Sequence, residues 1–373
     1  MQRDYKDSLN LTALIMGTFL LTACGGSDSD NETDDGEKKA SVSTMQINAA
    51  DYSAWRYVNL DSASEVTQDA PWHLAFRRTA IKLNGGVSGS GNVAAALANT
   101  PEGFYNGDEP VANTILNTTA STHEAALTAT YDLAALTFST DSNSAKIQGW
   151  YNYDPTTHLI SANTTNGWIV RHADGETYSK FTLSAASNTG VTIHYETQAA
   201  NTTQFAGGGQ TATGALAQGT TQLCLDLDLT SGHQVACDSA DWDLMYEVNA
   251  AARSTNIWTN GGVYGTGKGA AHGTLTATEL AAYTSATDMN GQDISRLYTT
   301  DTSGNIFSDQ LWYAYGLSQS DPHRLSPNFR TYLVDTDSSS ASAPKYALQI
   351  TNYYSLGASG SPEIRFAQIN GGN

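Results

Sequence analysis

Runs in which apolar and polar residues alternate recur along most of this chain. Alternation with a period of two places every second side chain on the same face of an extended strand, so each run predicts a half-buried β-strand. The clearest runs are WRYVNLD, TAIKL, KFTLSA, VTIHYET, TYLVDT, YALQITNYY and EIRFAQI. Together they predict an all-β protein made of antiparallel sheets.

Helical periodicity is weak beside this signal. Two segments, NVAAALANT and TATELAAYTSATD, are expected to form short helices. In the second segment a threonine ahead of Glu279 gives the pattern of a capping box, which satisfies free N–H groups at a helix start.

The first 23 residues have the pattern of a bacterial lipoprotein signal peptide. Arg3 and Lys6 form a basic start, and LNLTALIMGTFLLTA is a short apolar segment. The sequence LTAC resembles a lipobox, which implies cleavage before Cys24 and acylation of its thiol, with palmitate among the acyl chains. The alternative is an ordinary secretory signal with a chance cysteine. Gly25 follows the cysteine, and in such lipoproteins a residue other than Asp at this position implies sorting to the outer membrane and not retention at the inner one.

Residues 24–40 predict a flexible acidic tether between the acyl anchor in the lipid bilayer and the folded part. Their composition, GGSDSDNETDDGEKK after the cysteine, is too polar to bury a core. The whole chain has a formal net charge of −19, which argues against nucleic acid as a partner because phosphate binding needs clustered Lys and Arg.

Two further cysteines, Cys224 and Cys237, flank LDLDLTSGHQVA, which has the pattern of a strand, a Ser-Gly turn and a second strand. In an exported protein this arrangement predicts a disulfide that closes a hairpin. The alternative is a pair of reduced, buried thiols. A metal site is not expected, because His233 alone cannot complete one.

Four blocks of sequence occur twice in the same order. WHLAFRRTAIKLNGG is repeated in WDLMYEVNAAARSTNIWTNGG, and WYNY is repeated in WYAY. A strand and a Ser-containing turn precede each first block, and a loop with one histidine and then a strand follow each second block. The sequence therefore predicts two homologous β-rich modules, residues 41–204 and 205–373.

The ordered set WHLAFRRTAIKLNGG, SGSG, WYNYDPTTH and VRHADGETYSKFTL resembles the HmuY family of bacterial haem-binding surface lipoproteins. The resemblance implies an all-β fold of a palm and fingers in each module, with haem held between the fingers and two His or Met side chains on the iron. The second module has Glu247 where the first has Arg77, and its loops differ, which indicates a degenerate copy.

Four loop histidines are candidate iron ligands under this resemblance. His158, with His123 as its partner, is predicted for the first module, and His323 and His272 are the second-module candidates. The aromatic clusters before His158 and His323 are the candidate pocket walls: Trp150, Tyr151, Tyr153, Trp312, Tyr313 and Tyr315. The alternative is that each histidine is a solvated loop residue and that the tyrosines stack on a sheet face.

Other polar residues are expected to be structural. His73 and His194 lie in predicted strands, His172 is expected at an exposed turn, and Asp226 and Asp228 are expected to face water. The two Asn-Gly-Gly segments have the chemistry of turns and not of a phosphate loop. No Gly-x-Ser-x-Gly or His-Glu-x-x-His motif is present, so an enzyme is not expected.

The sequence thus predicts an outer-membrane or surface lipoprotein that binds haem, with the haem iron as its metal, and passes it to an outer-membrane receptor. The alternative is a lipid-anchored adhesion or interaction protein that keeps the fold without haem. The many Tyr, Asn and Gly residues suit protein or carbohydrate recognition equally well.

Replacing Cys24 by serine tests the predicted anchor. The Cys24→Ser chain should stay an unlipidated precursor, because only a thiol at this position accepts the diacylglycerol. Incorporation of radiolabelled palmitate should be seen in the unaltered chain and lost in the variant. An unaltered chain that takes up no palmitate would refute the lipoprotein prediction.

Overall fold

The computed structural model describes residues 41–249 and 254–369. The predicted signal peptide, the lipidation site Cys24 and the acidic tether lie outside these residues. Within the described part of the chain, no helix is both long enough and apolar enough to span a membrane.

Short strands make up most of the described structure. The strands before residue 200 are β1 (Ser43–Gln46), β2 (Arg56–Asn59), β3 (Ser64–Val66), β4 (Leu74–Arg77), β5 (Ala80–Leu83), β6 (Ala94–Asn99), β7 (Tyr105–Asn106), β8 (Glu109–Pro110), β9 (Ser142–Ser144), β10 (Tyr151–Asp154), β11 (Leu159–Ala162), β12 (Asn166–Arg171), β13 (Tyr178–Ser187) and β14 (Gly190–Gln198). The predicted all-β fold class is confirmed.

The later strands complete the sheets, and helices are few and short. These strands are β15 (Gln210–Ala215), β16 (Gln222–Leu225), β17 (Gln234–Val235), β18 (Leu244–Asn249), β19 (Ser254–Thr259), β20 (Ala270–Thr276), β21 (Asp288–Met289), β22 (Gln292–Asp293), β23 (Thr302–Gly304), β24 (Tyr313–Tyr315), β25 (Leu325–Pro327), β26 (Thr331–Asp335), β27 (Lys345–Asn352) and β28 (Glu363–Gln368). The helices among the described residues are α1 (Ala112–Leu116), α2 (Ala277–Ala282) and α3 (Ile306–Asp309), with 3-10 turns at Ala120–Thr128, Leu133–Ala135 and Ser295–Leu297.

One set of sheets, which we call the outer group, is built from residues 41–144 and 302–369. Its larger sheet has the strand order β1-β28-β27-β26-β6, and its smaller sheet has the order β3-β2-β4-β5. The two sheets and the segment after α3 enclose one apolar core. Its large buried side chains include Val58, Leu74, Phe76, Trp312, Tyr332, Leu348 and Phe366.

The remaining strands form what we call the inner group, residues 145–300. Its sheets have the orders β15-β14-β13-β12-β20 and β17-β16-β18-β19. A second core lies between them. Its large buried side chains include Trp150, Trp168, Phe181, Tyr195, Leu223 and Tyr246. The first tryptophans of the two repeated blocks, Trp72 and Trp242, are also buried.

Each group combines strands from both halves of the chain. The chain passes from the outer to the inner group at β9 and returns at β23, and these two strands pair antiparallel with Asn143 opposite Ser303. Strands β14 and β15 pair across the predicted boundary at residues 204 and 205, with Tyr195 opposite Gln210. The modules 41–204 and 205–373 therefore stay a prediction about repeated sequence, and the two halves interleave in space.

The Asn-Gly-Gly segments make the same turn in both groups. The side-chain amide of Asn84 donates to the carbonyl of Trp72 at 2.9 Å, and that of Asn260 donates to the carbonyl of Trp242 at 2.8 Å. Each asparagine thus ties the end of one strand to the start of the preceding one, which confirms the structural interpretation of these segments.

The second glycine of each segment is required by its surroundings. Gly86 has φ +63°, and a Cβ there would lie 1.9 Å from the carbonyl oxygen of Asp141. Gly262 has φ +68°, and its Cβ would lie 2.2 Å from the carbonyl oxygen of Asp301. A side chain at either position would meet both an unfavourable backbone conformation and a clash with backbone.

The helix expected over NVAAALANT is wrong. Ala94–Asn99 form β6, which pairs with β26 so that Ala96 lies opposite Leu333. Pairing at the sheet edge and burial of the alanines override their helix propensity. The other expected helix is confirmed as α2, where Thr276 and Glu279 form a capping box.

The predicted disulfide between Cys224 and Cys237 is present, with 5.2 Å between the Cα atoms. It joins β16 to the segment just after β17, and these strands form the predicted hairpin. Cys224 is fully buried beside Trp242 and Trp258. The bridge therefore closes a loop on the surface and anchors it to an aromatic cluster.

Removing this bridge should destabilise the fold. The cysteines are 13 residues apart, and for a loop of this size the chain-entropy model gives roughly 3 kcal/mol of stabilisation. The double variant Cys224→Ala/Cys237→Ala should lose about that much in urea unfolding of a fragment of residues 41–373. An unchanged unfolding midpoint, or free thiols in the unreduced fragment, would contradict the bridge.

Candidate functional site

The two WYxY segments form matching hairpins, one in each group. We call β10 and β11 with their turn the first hairpin, residues 151–162, and β24 and β25 with their turn the second hairpin, residues 313–327. In the first hairpin Tyr151 pairs with Ala162 and Tyr153 with Ile160. Since successive side chains alternate between faces, the two tyrosines share one face.

A tight turn sets the position of His158 in the first hairpin. The carboxylate of Asp154 accepts the backbone N–H of Thr156 at 2.8 Å, and its carbonyl accepts the N–H of His158 at 2.8 Å. His158 has φ +59°, in the left-handed region that residues other than glycine rarely adopt. Such backbone occurs often at ligand-binding sites, which motivates a functional hypothesis for this turn.

His158 forms a hydrogen bond with the outermost tyrosine of the hairpin. The Oη atom of Tyr153 lies 2.6 Å from Nδ1 of His158, and the ring centroids are 6.2 Å apart. Both side chains are exposed, Tyr153 by 54%. The contact fixes the imidazole by one nitrogen, and Nε2 has no partner among the described residues.

The second hairpin contains the same pair. The Oη atom of Tyr315 lies 2.6 Å from Nδ1 of His323, with ring centroids 6.1 Å apart. The angles between ring planes are 41° in the first pair and 42° in the second. The partners are 5 residues apart in the first hairpin and 8 in the second. The same geometry thus arises from turns of different length.

A cavity of about 480 Å³ lies beside the first hairpin. Its apolar lining comes from Tyr151, Tyr153 and Ile160 of the hairpin and from Val248 of β18. Its polar lining comes from His158, Asn188, Asn249, Ser254 and Thr255. This combination of aromatic walls and a few polar groups is typical of a small-molecule site.

The second hairpin borders a cavity of about 560 Å³ with a different lining. Tyr313 and Tyr315 form part of its wall, opposite Tyr105 and Arg330. The Arg330 guanidinium stacks 4.7 Å from the centre of the Tyr105 ring. The tyrosines of the two hairpins therefore correspond, whereas the surfaces that face them do not.

Of the predicted pocket walls, the four tyrosines line the two cavities and the two tryptophans lie behind them. Trp150 belongs to the inner core and Trp312 to the outer core. Each is only 2% exposed. Each tryptophan lies just before its strand and packs against the next tyrosine, with ring centroids 4.6 Å apart in the first hairpin and 4.8 Å in the second. The tryptophan thus anchors the hairpin, and the tyrosines meet the cavity.

His123 lies in the outer group and does not line the cavity of His158. It sits in the 3-10 segment Ala120–Thr128, with its ring centroid 5.7 Å from Phe329 and 5.2 Å from Phe104. Its buried Nε2 atom has no hydrogen-bond partner among the described residues. Burial, and then the charge of Arg365, lower the pKa of the imidazole.

His272 lies in β20 of the inner group and is engaged by tyrosines. Its Nε2 atom is 2.9 Å from the Oη of Tyr283, and its ring is 6.0 Å from that of Tyr298. Burial is the main cause that lowers its pKa. Interleaving of the two halves thus places His158 with His272 in the inner group and His123 with His323 in the outer group.

A buried cluster around His172 was not predicted. His172 was expected at an exposed turn, and this is wrong, because the side chain is fully buried. Its Nδ1 atom lies 2.8 Å from a carboxylate oxygen of Asp228 and 3.4 Å from one of Asp243, and its Nε2 atom lies 2.9 Å from Oγ of Ser179. These contacts join the end of β12 to the segments around β16 and β18.

Asp226 and Asp228 were both expected to face water, and this is also wrong in part. Asp226 is buried, and Asp228 is half exposed but bonds His172. The signal available in the sequence was the pair of aspartates after an apolar strand. It gave no indication of the partner, because His172 lies far away along the chain.

The order Ser179, His172, Asp228 has the composition of a hydrolase triad. Ser179 is fully buried, and its hydroxyl also contacts Oγ1 of Thr197 at 3.0 Å, so no substrate reaches it. The ligand atoms of His172, Asp228 and Asp243 lie within 4.8 Å of one another. Asp243 in turn accepts the backbone N–H groups of Ala173 and Leu227. The arrangement is a satisfied structural cluster.

The corresponding place in the outer group has a different cluster. His73 follows Trp72 directly, as Asp243 follows Trp242. The Nδ1 atom of His73 accepts the N–H of Leu60 at 3.1 Å, and Asp61 accepts the hydroxyl of Tyr346 at 2.7 Å. The two groups thus bridge corresponding strands with different side chains: a histidine between two carboxylates in the inner group, and a histidine that accepts a backbone N–H in the outer group.

A model of the HmuY protein family matches residues 51–198 of this chain. The matched region starts before β2, ends with β14, and contains both His123 and His158. Among solved structures, a protein described as HmuY-like and heme-binding from Bacteroides vulgatus matches with 10% identity and a TM-score of 0.27, over 87% of this chain and 90% of that one. This superposition is too loose for a comparison of individual residues. No curated protein matches the chain.

The two clusters should give opposite dependence of stability on pH. Burial lowers the pKa of His172, but the hydrogen bond that its ring N–H donates to Asp228 and the nearby carboxylates outweigh it, so the pKa lies above its ordinary value. Burial raises the pKa of Asp243 to about 6. Both shifts favour the protonated cluster, so its stabilising contribution is present in mild acid and is lost as pH rises. For His73, burial is the larger effect and lowers the pKa, so its contribution is lost as pH falls below about 6.5.

Urea unfolding between about pH 5 and 8, where most folds are near their maximal stability, measures both effects. The loss of unfolding free energy in His172→Gln should shrink as pH rises, and the loss in His73→Gln should shrink as pH falls. Parallel pH profiles for the two variants would show that these clusters do not carry the charges inferred here.

Proposed function

We propose that this chain binds haem non-covalently at the first hairpin, with His158 as an axial ligand of the iron, and the match of residues 51–198 to the HmuY family model supports this. Its role is to bind and carry haem and not to catalyse a reaction. The predicted ligand His158 and the cavity walls Tyr151 and Tyr153 all lie within the matched region.

The hydrogen-bonded pair of Tyr153 and His158 at the cavity is the observation that carries this proposal. A histidine that binds a metal through one ring nitrogen usually donates its other N–H to a fixed partner, which sets the tautomer and the ring orientation. With Tyr153 Oη as the acceptor for Nδ1–H at 2.6 Å, the lone pair of Nε2 is left for iron. Both residues line the same cavity.

The cavity suits the two kinds of surface that haem presents. Tyr151, Tyr153, Ile160 and Val248 offer aromatic and aliphatic contact for the porphyrin faces. The side chains of Asn188, Ser254 and Thr255 offer hydrogen bonds to the propionates at the rim.

The second axial position is the least constrained part of the site. The predicted partner, His123, belongs to the outer group and is absent from the lining of this cavity. No second histidine or methionine lines the cavity among the described residues. We therefore expect one protein ligand from this chain, and the pairing of His158 with His123 stays a prediction that the spin state of the iron can test.

The second hairpin is proposed as a weaker counterpart. His323 has the same contact with Tyr315, and His272 remains its other candidate from the sequence. The Tyr315 cavity is faced by Tyr105 and Arg330 in place of the lining seen at the first hairpin. Different walls around the same Tyr–His pair favour different affinities.

Location and haem transfer follow from the sequence as further parts of the proposal. Acylation of Cys24 would hold the chain on the outer membrane, and residues 25–40 would give the folded part reach from the bilayer. Haem bound at an exposed hairpin could then pass to an outer-membrane receptor without unfolding of a core. The exposure of Tyr153 and His158 supports this step.

Hemin titration of the fragment 41–373, followed by its Soret band, tests the proposal. We expect saturable binding with a high-spin ferric spectrum from one histidine ligand, weakening in acid because protons compete with iron. His158→Ala should lose the ligand-dependent spectrum. Tyr153→Phe should keep the ligand but bind on the order of tenfold more weakly, as is usual when a partner of a metal-bound histidine is removed.

His194→Ala is the matched control, because His194 is an exposed strand histidine that contacts Thr211 at 2.8 Å and lines no part of the hairpin cavity. It should bind hemin as the unaltered fragment does. No saturable Soret change, or an unaltered spectrum in His158→Ala, refutes the proposed ligand. A low-spin spectrum that is lost in His123→Ala would instead establish the bis-histidine site predicted from the sequence.

A further inference from the structure

Two cations converge on one tryptophan at the end of the β4–β5 hairpin in the outer group. The Arg77 guanidinium lies 4.6 Å from the centre of the Trp55 ring, and the Lys82 ammonium lies 4.4 Å from it. The negative face of the indole attracts both, so Trp55 holds two like charges near each other.

Neither cation has a carboxylate partner among the described residues. The ion pairs there involve Lys180, Lys345 and Arg365 among the basic side chains, and not Arg77 or Lys82. Burial, and then the charge of Arg77, lower the pKa of Lys82. Two neighbouring cations thus share one aromatic ring in a chain with a formal net charge of −19.

The two cations border a cavity of about 340 Å³. The rest of its lining includes Trp55, Thr79, Ser303, Phe307 and Tyr313. Tyr313 also lines the cavity of the second hairpin, so the two cavities share one wall.

The carboxylate of Asp141 also lines this cavity and, when ionised, would repel an anion bound there. Its oxygen Oδ1 accepts the backbone N–H of Leu83 at 3.2 Å and the side-chain amide of Asn305 at 2.5 Å. Burial raises the pKa of this carboxyl. Asp141 therefore serves the backbone around it and attracts Lys82 without forming an ion pair with it, so it offsets only part of the positive charge at the cavity.

The fold itself does not require cations at these places. Glu247 stands five residues after Trp242, as Arg77 stands five after Trp72. In the inner group this glutamate accepts the indole N–H of Trp258 at 2.9 Å. The same strand position is thus filled by either charge, so the Arg77–Lys82 pair is a property of the outer group and not of the architecture.

We propose that the Trp55, Arg77 and Lys82 cavity binds a small oxyanion, either a carboxylate or a phosphate group of a soluble molecule. The two cations supply charge-assisted hydrogen bonds to its oxygens, and Thr79 adds a hydroxyl donor. Phe307 and Tyr313 contact the part of the ligand that carries the anionic group. This site shares none of the residues at the first hairpin, so its test is separate from that of the haem site proposed there.

Calorimetric titration of the fragment 41–373 with citrate and, separately, with inorganic phosphate tests this site. We expect one saturable site for at least one of the two probes, and the preferred probe identifies the anionic group. Arg77→Gln/Lys82→Gln should weaken that binding by more than about tenfold, because two contacts to charged groups are lost. The unfolding midpoint should stay near that of the unaltered fragment.

Lys268→Gln/Arg296→Gln is the matched control, since it removes two exposed cations of the inner group and changes the net charge equally. It should bind the preferred probe as the unaltered fragment does. Arg77→Glu is a second variant that copies the inner-group residue and should also abolish binding. No saturable heat with either probe, equal weakening in the control, or binding that survives in both Arg77 variants would overturn the proposal.

Discussion

The antiparallel pairing of Ser142–Ser144 with Thr302–Gly304 is the constraint on which the rest of this structure depends, because both passages between the sheet groups run through it. A buried aspartate stands beside each passage. Asp141 accepts the side-chain amide of Asn305 as the chain returns to the outer group, and Asp301 accepts the N–H of Lys146 at 2.7 Å as the chain enters the inner group. Each carboxylate has a raised pKa because it is buried, so its hydrogen bonds are needed to hold it there. These contacts hold the two crossings between the groups in place.

Interleaving explains which parts of the structure the sequence could predict. Local signals sufficed for the alternating strands, for the capping box at Thr276 and for the hairpin that Cys224 and Cys237 close. Local signals failed where a distant segment determines the local structure. Ala94–Asn99 form a strand because they pair with β26. His172 is buried because its partners Asp228 and Asp243 come from the other half of the chain. The hairpin site shows both cases. Tyr153 and His158 belong to one hairpin, so the sequence could predict that they lie close together. Val248 and Ser254, which also line the cavity, belong to β18 and β19 and could not be predicted from local sequence.

The two groups share the residues that stabilise the fold and differ in the residues that line their cavities. The Asn-Gly-Gly turns and the buried tryptophans correspond, as do the Tyr–His pairs with their 2.6 Å contacts. The charges around them differ: Asp243 corresponds to His73, and Glu247 to Arg77. If the two groups bind different ligands, they need the same scaffold with different side chains around each site. Both groups share an exposed histidine that is hydrogen-bonded to a tyrosine. We therefore place haem at this histidine and not at the buried histidines His73 and His172.

The most direct test of the proposed site is an anomalous difference map at the iron absorption edge, from crystals of the fragment 41–373 grown with hemin. We expect an iron peak within coordination distance of Nε2 of His158, with the porphyrin against Tyr151 and Tyr153 and with Tyr153 still hydrogen-bonded to Nδ1. An iron peak at the second hairpin in addition would mark His323 as an occupied counterpart. An iron peak placed away from His158, or hemin-grown crystals with no ordered iron at all, would contradict the account.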